Sequence, residues 1–200
     1  MKLLYTPNSP FARKCRIVVI EKRLDDQVEL ANVGHPLENP QELLDINPLG
    51  TVPALVTDEG LHICDSAAIC EYLDSLPSDQ PALLPPSESR ECVLAMMAMA
   101  EGMMNAAVSC VLERLRPEEK QYGQWLERKE AAIMRTIAKF AVIPMENTPL
   151  SLGSINLAVA LDYVSFRHPH LDWRNKHPEL ANWLDEFIKR PSFQTTQPKL

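Results

Sequence analysis

The stretch from Asn47 to Ser66, N-P-L-G-T-V-P-A-L-V-T-D-E-G-L-H-I-C-D-S, restricts the fold more than any other part of the chain. Asn47-Pro48-Leu49-Gly50 is turn chemistry, with Gly50 able to take a positive φ. Ala54 to Thr57 and Leu61 to Cys64 are short runs rich in strand formers, joined by Asp58-Glu59-Gly60, and they read as a hairpin. Pro53 stands at the lip of the first strand, where a missing N–H is tolerated. Asp65-Ser66 precedes an apolar helix, with Ser66 in the N-cap role. A rigid backbone ledge beside a helix N-terminus suits an anionic or peptide ligand.

Upstream, Lys2 to Thr6 reads as a strand broken by Pro7-Asn8-Ser9-Pro10. Ser9 can cap and Pro10 suits a first helical position, which predicts a helix from Phe11 to Lys22 with Phe11, Cys15, Val18, Val19 and Leu24 inward. Val28 to Val33 reads as a second strand and Pro40 to Ile46 as a short helix. Ser78 to Ser87, rich in Pro, Ser and Asp, marks a linker, so the expected division is 1–77, a linker at 78–87, and 88–200. Beyond the linker the pattern is helical throughout. Glu88 to Arg116 is crowded with Met96, Met97, Met99, Met103 and Met104, a stripe that reads as packing filler. Pro117 to Ile143 is a second expected helix, a third is introduced by Pro149 to Ser154 and runs to Phe166, and Leu180 to Lys189 is a last one, with Leu180, Trp183, Leu184 and Phe187 at helical spacing.

Composition excludes several functions. The net charge of −7 with scattered basic residues disfavours a nucleic-acid partner. No 18-residue apolar run and no signal-peptide pattern are read in the chain, so neither a membrane nor secretion is expected. Cys15, Cys64, Cys70, Cys92 and Cys110 form no C-x-x-C, and an odd count without a framework fits a reducing cytoplasm. No metal is expected either, because His168-Pro169-His170 is the nearest approach to ligand spacing and reads as a solvated turn.

The motifs N-P-x-G-x-V-P and D-S-x-A-I, in that order, resemble the glutathione-binding half of the glutathione S-transferase superfamily. Ser9-Pro10-Phe11-Ala12-Arg13-Lys14-Cys15-Arg16-Ile17 resembles the S-P-F-x-R-K-x-R-I start of many bacterial members. The ending Arg190-Pro191-Ser192-Phe193-x-x-Thr196-x-Pro198 resembles the family's C-terminal signature. The resemblance implies an α/β thioredoxin-like N-terminal domain, of order β-α-β-α-β-β-α, followed by an all-α C-terminal helical bundle. It also implies a cis Val52-Pro53 bond, with the Val52 N–H and C=O pairing to the cysteinyl unit of glutathione as a strand pairs with an edge. Asp65 and Ser66 would hold the γ-glutamyl end. Where members usually carry Ser/Thr-x-x-Asp, this chain has Ser151-x-x-Ser154, which predicts a working but weaker capping box.

The implied activity is a glutathione transferase that joins the glutathione thiolate to small hydrophobic electrophiles, with glutathione as co-substrate. Ser9 is the first candidate for the thiol-activating group, with Asn8 and Tyr5 as alternatives, and the capping and activating roles of Ser9 compete for one oxygen. Cys15 lies two turns down the helix and is not the nucleophile by position. His35 is the candidate for the glycyl carboxylate. Thr51 stands where members frequently carry Lys or Gln, which shortens one usual contact. The electrophile pocket is expected near Phe11, Met103, Met104, Val108 and Tyr163. The family also implies a homodimer, with the Met-rich helix as contact surface and Glu101 reaching towards the partner's site. Two other readings remain. A thiol/disulfide oxidoreductase is disfavoured by serine at the helix start, because serine forms no mixed disulfide. A non-catalytic regulator is disfavoured by the intact ledge and Asp-Ser pair.

Overall fold

The computed structural model describes residues 1–34, 38, 40–86 and 89–199. The chain divides into two compact units, Met1–Pro85 with Arg190–Leu200, and Pro86–Lys189.

The first unit is built on β1 (Lys2–Tyr5), α1 (Pro10–Glu21), β2 (Glu29–Asn32), α2 (Gln41–Ile46), β3 (Ala54–Val56), β4 (His62–Cys64) and α3 (Ser66–Ser75). Its four strands lie in the order β2-β1-β3-β4. β1 runs parallel to β2 and antiparallel to β3, and β3 and β4 form the expected hairpin. Strand alternation explains the layers. Leu4, paired with Ala54, packs with Leu43 and Val52 into a cluster joined by Ala31, Val33, Ile46 and Cys64, so α2 covers that face. Leu3 and Leu55 point the other way, towards α1 and α3, and both are fully buried. Of the inward set expected for α1, Cys15, Val18, Val19 and Leu24 are buried, whereas Phe11 is only half-buried.

The second unit holds α4 (Arg90–Arg114), α5 (Gly123–Ala141), α6 (Leu152–Arg167), α7 (Trp173–Lys176) and α8 (Pro178–Phe187). By length and hydropathy α4 could cross a membrane. Here it packs against α5 and α6, with Met97, Ala100, Met103, Met104, Ala107 and Cys110 buried. Met99, by contrast, is exposed. The helix expected from Pro117 starts later: Glu118–Lys120 forms a 3-10 turn, and α5 begins only at Gly123. The Ser151/Ser154 box closes in both directions. The Ser154 N–H donates to Ser151 Oγ at 3.1 Å and the Ser151 N–H to Ser154 Oγ at 2.9 Å, so α6 starts without a carboxylate.

Two segments are placed by their hydrogen bonds. α9 (Pro191–Thr195) belongs to the first unit, because α1 carries its partners. Arg13, buried, donates to Phe193 O at 3.3 Å and Thr196 Oγ1 at 3.4 Å. The segment from Ser78 to Pro85 belongs to the first unit. The Leu83 and Leu84 N–H groups donate to the Asp74 carboxylate, each at 2.8 Å, and Lys22 Nζ donates to the carbonyls of Gln80 and Pro81.

Candidate functional site

The sheet gathers the expected site residues at one end. In the β1–β3 register Leu4 faces Ala54, so the chain leaves β1 and enters β3 at the same end of the sheet. In the β3–β4 register Ala54 faces Cys64, so the Val52-Pro53 segment entering β3 and the Asp65-Ser66 segment leaving β4 lie at the same end of the sheet. The turn carrying Ser9 hangs from the same edge, with the Ser9 N–H donating to Thr6 O at 3.2 Å. His35 lies outside the described residues.

Asn47 builds the approach to Val52. Almost fully buried, it donates from Nδ2 to Thr51 O at 2.7 Å and Thr51 Oγ1 at 3.1 Å, and its Oδ1 accepts from the Leu49 N–H. Gly50 takes φ +63° in this turn. The Val52–Pro53 bond is cis. Among the described residues, no hydrogen bond engages the Val52 N–H or C=O, although its side chain is anchored in the core. The Val52 backbone groups, just ahead of β3, are thus not used by the sheet.

At α3 the structure corrects the cap. Asp65, not Ser66, is the N-cap, and its carboxylate accepts from the Ala67 N–H at 2.8 Å and the Ala68 N–H at 3.4 Å, both on Oδ1. Asp65 sits at φ +76°, a region costly for a residue with a Cβ. That conformation turns the chain from β4 straight into the helix and leaves Ser66 as its first residue, 3% exposed. The Cys15 thiol contacts Ser66 O at 3.5 Å and Cys70 Sγ at 3.6 Å, tying α1 to the start of α3.

Ser9 caps α1, its Oγ accepting from the Ala12 N–H at 3.2 Å. The expected competition between capping and thiol activation does not arise. A hydroxyl has two acceptor lone pairs and one hydrogen, and capping uses only a lone pair. Of the alternatives, Asn8 Oδ1 accepts from the Lys199 N–H at 2.9 Å, and the Tyr5 ring lies under the Arg16 guanidinium at 4.5 Å.

The expected electrophile pocket fares differently. Met103, Met104 and Tyr163 are 1%, 0% and 6% exposed, so they offer almost no surface to a ligand; Phe11 and Val108 are half-buried. Burial pushes the Tyr163 phenol above its usual range, an effect Arg167 partly offsets. The Glu101 carboxylate accepts from Asn156 Nδ2 of its own chain at 3.5 Å. Nor is His168 in a solvated turn: it is fully buried at the end of α6.

Residues 8–76 match the model of the glutathione S-transferase N-terminal domain, and residues 123–186 that of the C-terminal domain. The chain belongs to the glutathione S-transferase superfamily. It is 34% identical, over 99% of its length and 98% of the relative's, to the uncharacterized GST-like protein YibF of Escherichia coli (strain K12). A glutathione transferase family member from Pseudomonas fluorescens Pf-5, solved with bound glutathione, is similar in structure with a TM-score of 0.94 at 34% identity, covering 100% of this chain and 99% of that one. A glutathione S-transferase from Methylobacillus flagellatus KT, also solved with glutathione, gives 0.90 at 35% identity, covering 99% of each chain. The four-stranded mixed sheet followed by a helical domain is thus the glutathione S-transferase fold.

Proposed function

We propose that this glutathione S-transferase superfamily member binds glutathione and joins its thiolate to small hydrophobic electrophiles. The observation that carries the reading is the Val52 backbone, unused by the sheet and next to a cis proline, at the end of the sheet where the chain also leaves β1 towards Ser9 and β4 towards α3. The cysteinyl unit adds to that backbone as a short strand, and structures of similar proteins with bound glutathione support the choice of ligand.

The γ-glutamyl carboxylate fits the start of α3, where Ser66 and the helix dipole favour an anion. Asp65 caps through Oδ1, which leaves Oδ2 for the ammonium group. The sulfur then lies by the Ser9 hydroxyl. Lowering a thiol pKa by about two units requires roughly 2.7 kcal/mol of preference for the anion. One hydrogen bond to a charged acceptor supplies about 1.5–3 kcal/mol, and a helix N-terminus about 0.3–1. Ser9 on α1 suffices, the thiol proton leaves to water, and no general base is needed. The thiolate forms a C–S bond to the electrophilic carbon while a leaving group departs with its electron pair. A homodimer in the cytoplasm completes the proposal; the five cysteines, none in a disulfide, support a reducing compartment.

Calorimetric titration with reduced glutathione, paired with a chlorodinitrobenzene conjugation assay, tests this. Binding that Ser66→Ala weakens about tenfold, a loss near 1.4 kcal/mol, with thioether formation above the uncatalysed rate, is the expected result. No heat at about 10 mM glutathione, a binding free energy weaker than roughly 2.7 kcal/mol, overturns the reading. Binding without turnover overturns conjugation alone.

A further inference from the structure

The end of α6 carries a side-chain cluster that plays no part in the site above. His168 caps α6 with its N–H on Val164 O at 2.8 Å, and its ring is fully buried. Ring Nε2 lies 3.0 Å from Ala107 O; a carbonyl only accepts, so Nε2 carries the hydrogen and Nδ1 the lone pair. That lone pair points at Arg114 Nη1, 3.2 Å away. The other end of the same guanidinium bonds Glu130, whose Oε1 also lies 2.8 Å from His170 Nε2. Three different elements, α4, α5 and the turn after α6, thus converge on one cation.

We propose that Glu130, His168 and His170 form a binding site for a zinc-class divalent ion, whose place the Arg114 guanidinium takes in this structure. Their donor atoms all lie within 4.8 Å of one another. A tetrahedral ion with bonds of about 2.0–2.1 Å needs its ligand atoms roughly 3.3–3.4 Å apart. The closure falls to the two outer side chains, His170 at 49% exposure and Glu130 at 21%. Two imidazoles and a carboxylate are a ligand set for zinc, with water in the fourth position. His168 is already prepared: its second nitrogen is held by a backbone carbonyl, the outer contact that orients ligating histidines. Arg114 is the last residue of α4 with 36% of its side chain exposed, so it can swing out when a doubly charged ion replaces it. The proposal rests on the helical unit alone and stands apart from the transferase reading.

Titration of the full-length protein with zinc sulfate at neutral pH tests the site, with Cys92→Ser as background to remove the exposed thiol. One ion per chain is expected, and His170→Ala or Glu130→Gln weakens binding about 10- to 100-fold. Arg114→Gln removes the competing charge and tightens binding about tenfold. Because the ion binds the folded chain, zinc also raises the melting temperature of the parent protein but not of His170→Ala. No saturable binding, binding indifferent to His170→Ala, or weaker binding in Arg114→Gln overturns the proposal.

Discussion

Arg190 grips Glu21 across 169 residues of sequence, Nε donating to one carboxylate oxygen at 2.8 Å and Nη2 to the other at 2.9 Å. Ser192 Oγ donates to the same carboxylate. This two-pronged bond fastens α9 to α1. Burial alone pushes the Glu21 carboxyl up, but the Arg190 and Ser192 hydrogen bonds and the Arg190 charge outweigh it, and the group titrates below its ordinary value.

A carboxyl depressed in the folded state contributes stability that is fully present above its unfolded pKa and is lost as pH falls through the folded one. Glu21→Gln therefore lowers stability at neutral pH by about 1–3 kcal/mol, towards the lower figure because Arg190 is 39% exposed and screened. The gap between variant and parent closes as the pH drops below the usual carboxyl range. Urea unfolding from neutral pH into the acid range checks it; a constant gap means the charge is not the source.

Lys22 Nζ and Asp74 Oδ1 lie 3.1 Å apart, with side chains 3% and 6% exposed. Asp74→Ala leaves the buried Lys22 cation without its counter-charge and the Leu83 and Leu84 N–H groups without their acceptor. The expected cost is about 3–5 kcal/mol, with cleavage by an added protease shifting to residues 78–86. An unchanged unfolding midpoint and digestion pattern counts against this network as the anchor.

Ser9→Ala separates the two roles of one hydroxyl. Loss of the cap costs about 0.5–2 kcal/mol of stability. Loss of the donor lowers conjugation about 10- to 100-fold while glutathione affinity stays close to the parent's. A variant with full turnover moves the activating role to Asn8 or Tyr5.

Asp65 carries a cap and a strained backbone at once. Asp65→Ala keeps φ near +76° and loses the acceptor, so it costs about 1–2 kcal/mol. Asp65→Gly loses the same acceptor but relieves the backbone, and is more stable than Asp65→Ala by about 1 kcal/mol. Denaturation of the two variants side by side decides it, and equal stabilities dismiss the strain.

Local chemistry written in the chain was legible where neighbours in sequence are neighbours in space. The Asn47 turn, the 54–64 hairpin and the Ser151/Ser154 box are of this kind. Asp65 and Ser66 are both good caps by type; the backbone leaving β4, which sequence does not display, decides between them. The Arg190 to Pro198 ending was legible as a motif but not as a helix or by the core it docks on, because Glu21 and Arg13 lie far away in sequence. His-Pro-His reads as a turn for the same reason. Its burial depends on Ala107 and its charge partners on Arg114 and Glu130, none of them local.

The bond between Glu21 and Arg190 also bears on the order in which the protein is made. Residues 190–199 leave the ribosome after the entire helical unit, yet Arg13, Glu21 and Asn8 take their partners from them. The first unit to be translated is thus the last to be completed. Until then the Arg13 guanidinium and the Glu21 carboxylate of α1 lack the partners that Phe193, Thr196, Arg190 and Ser192 supply.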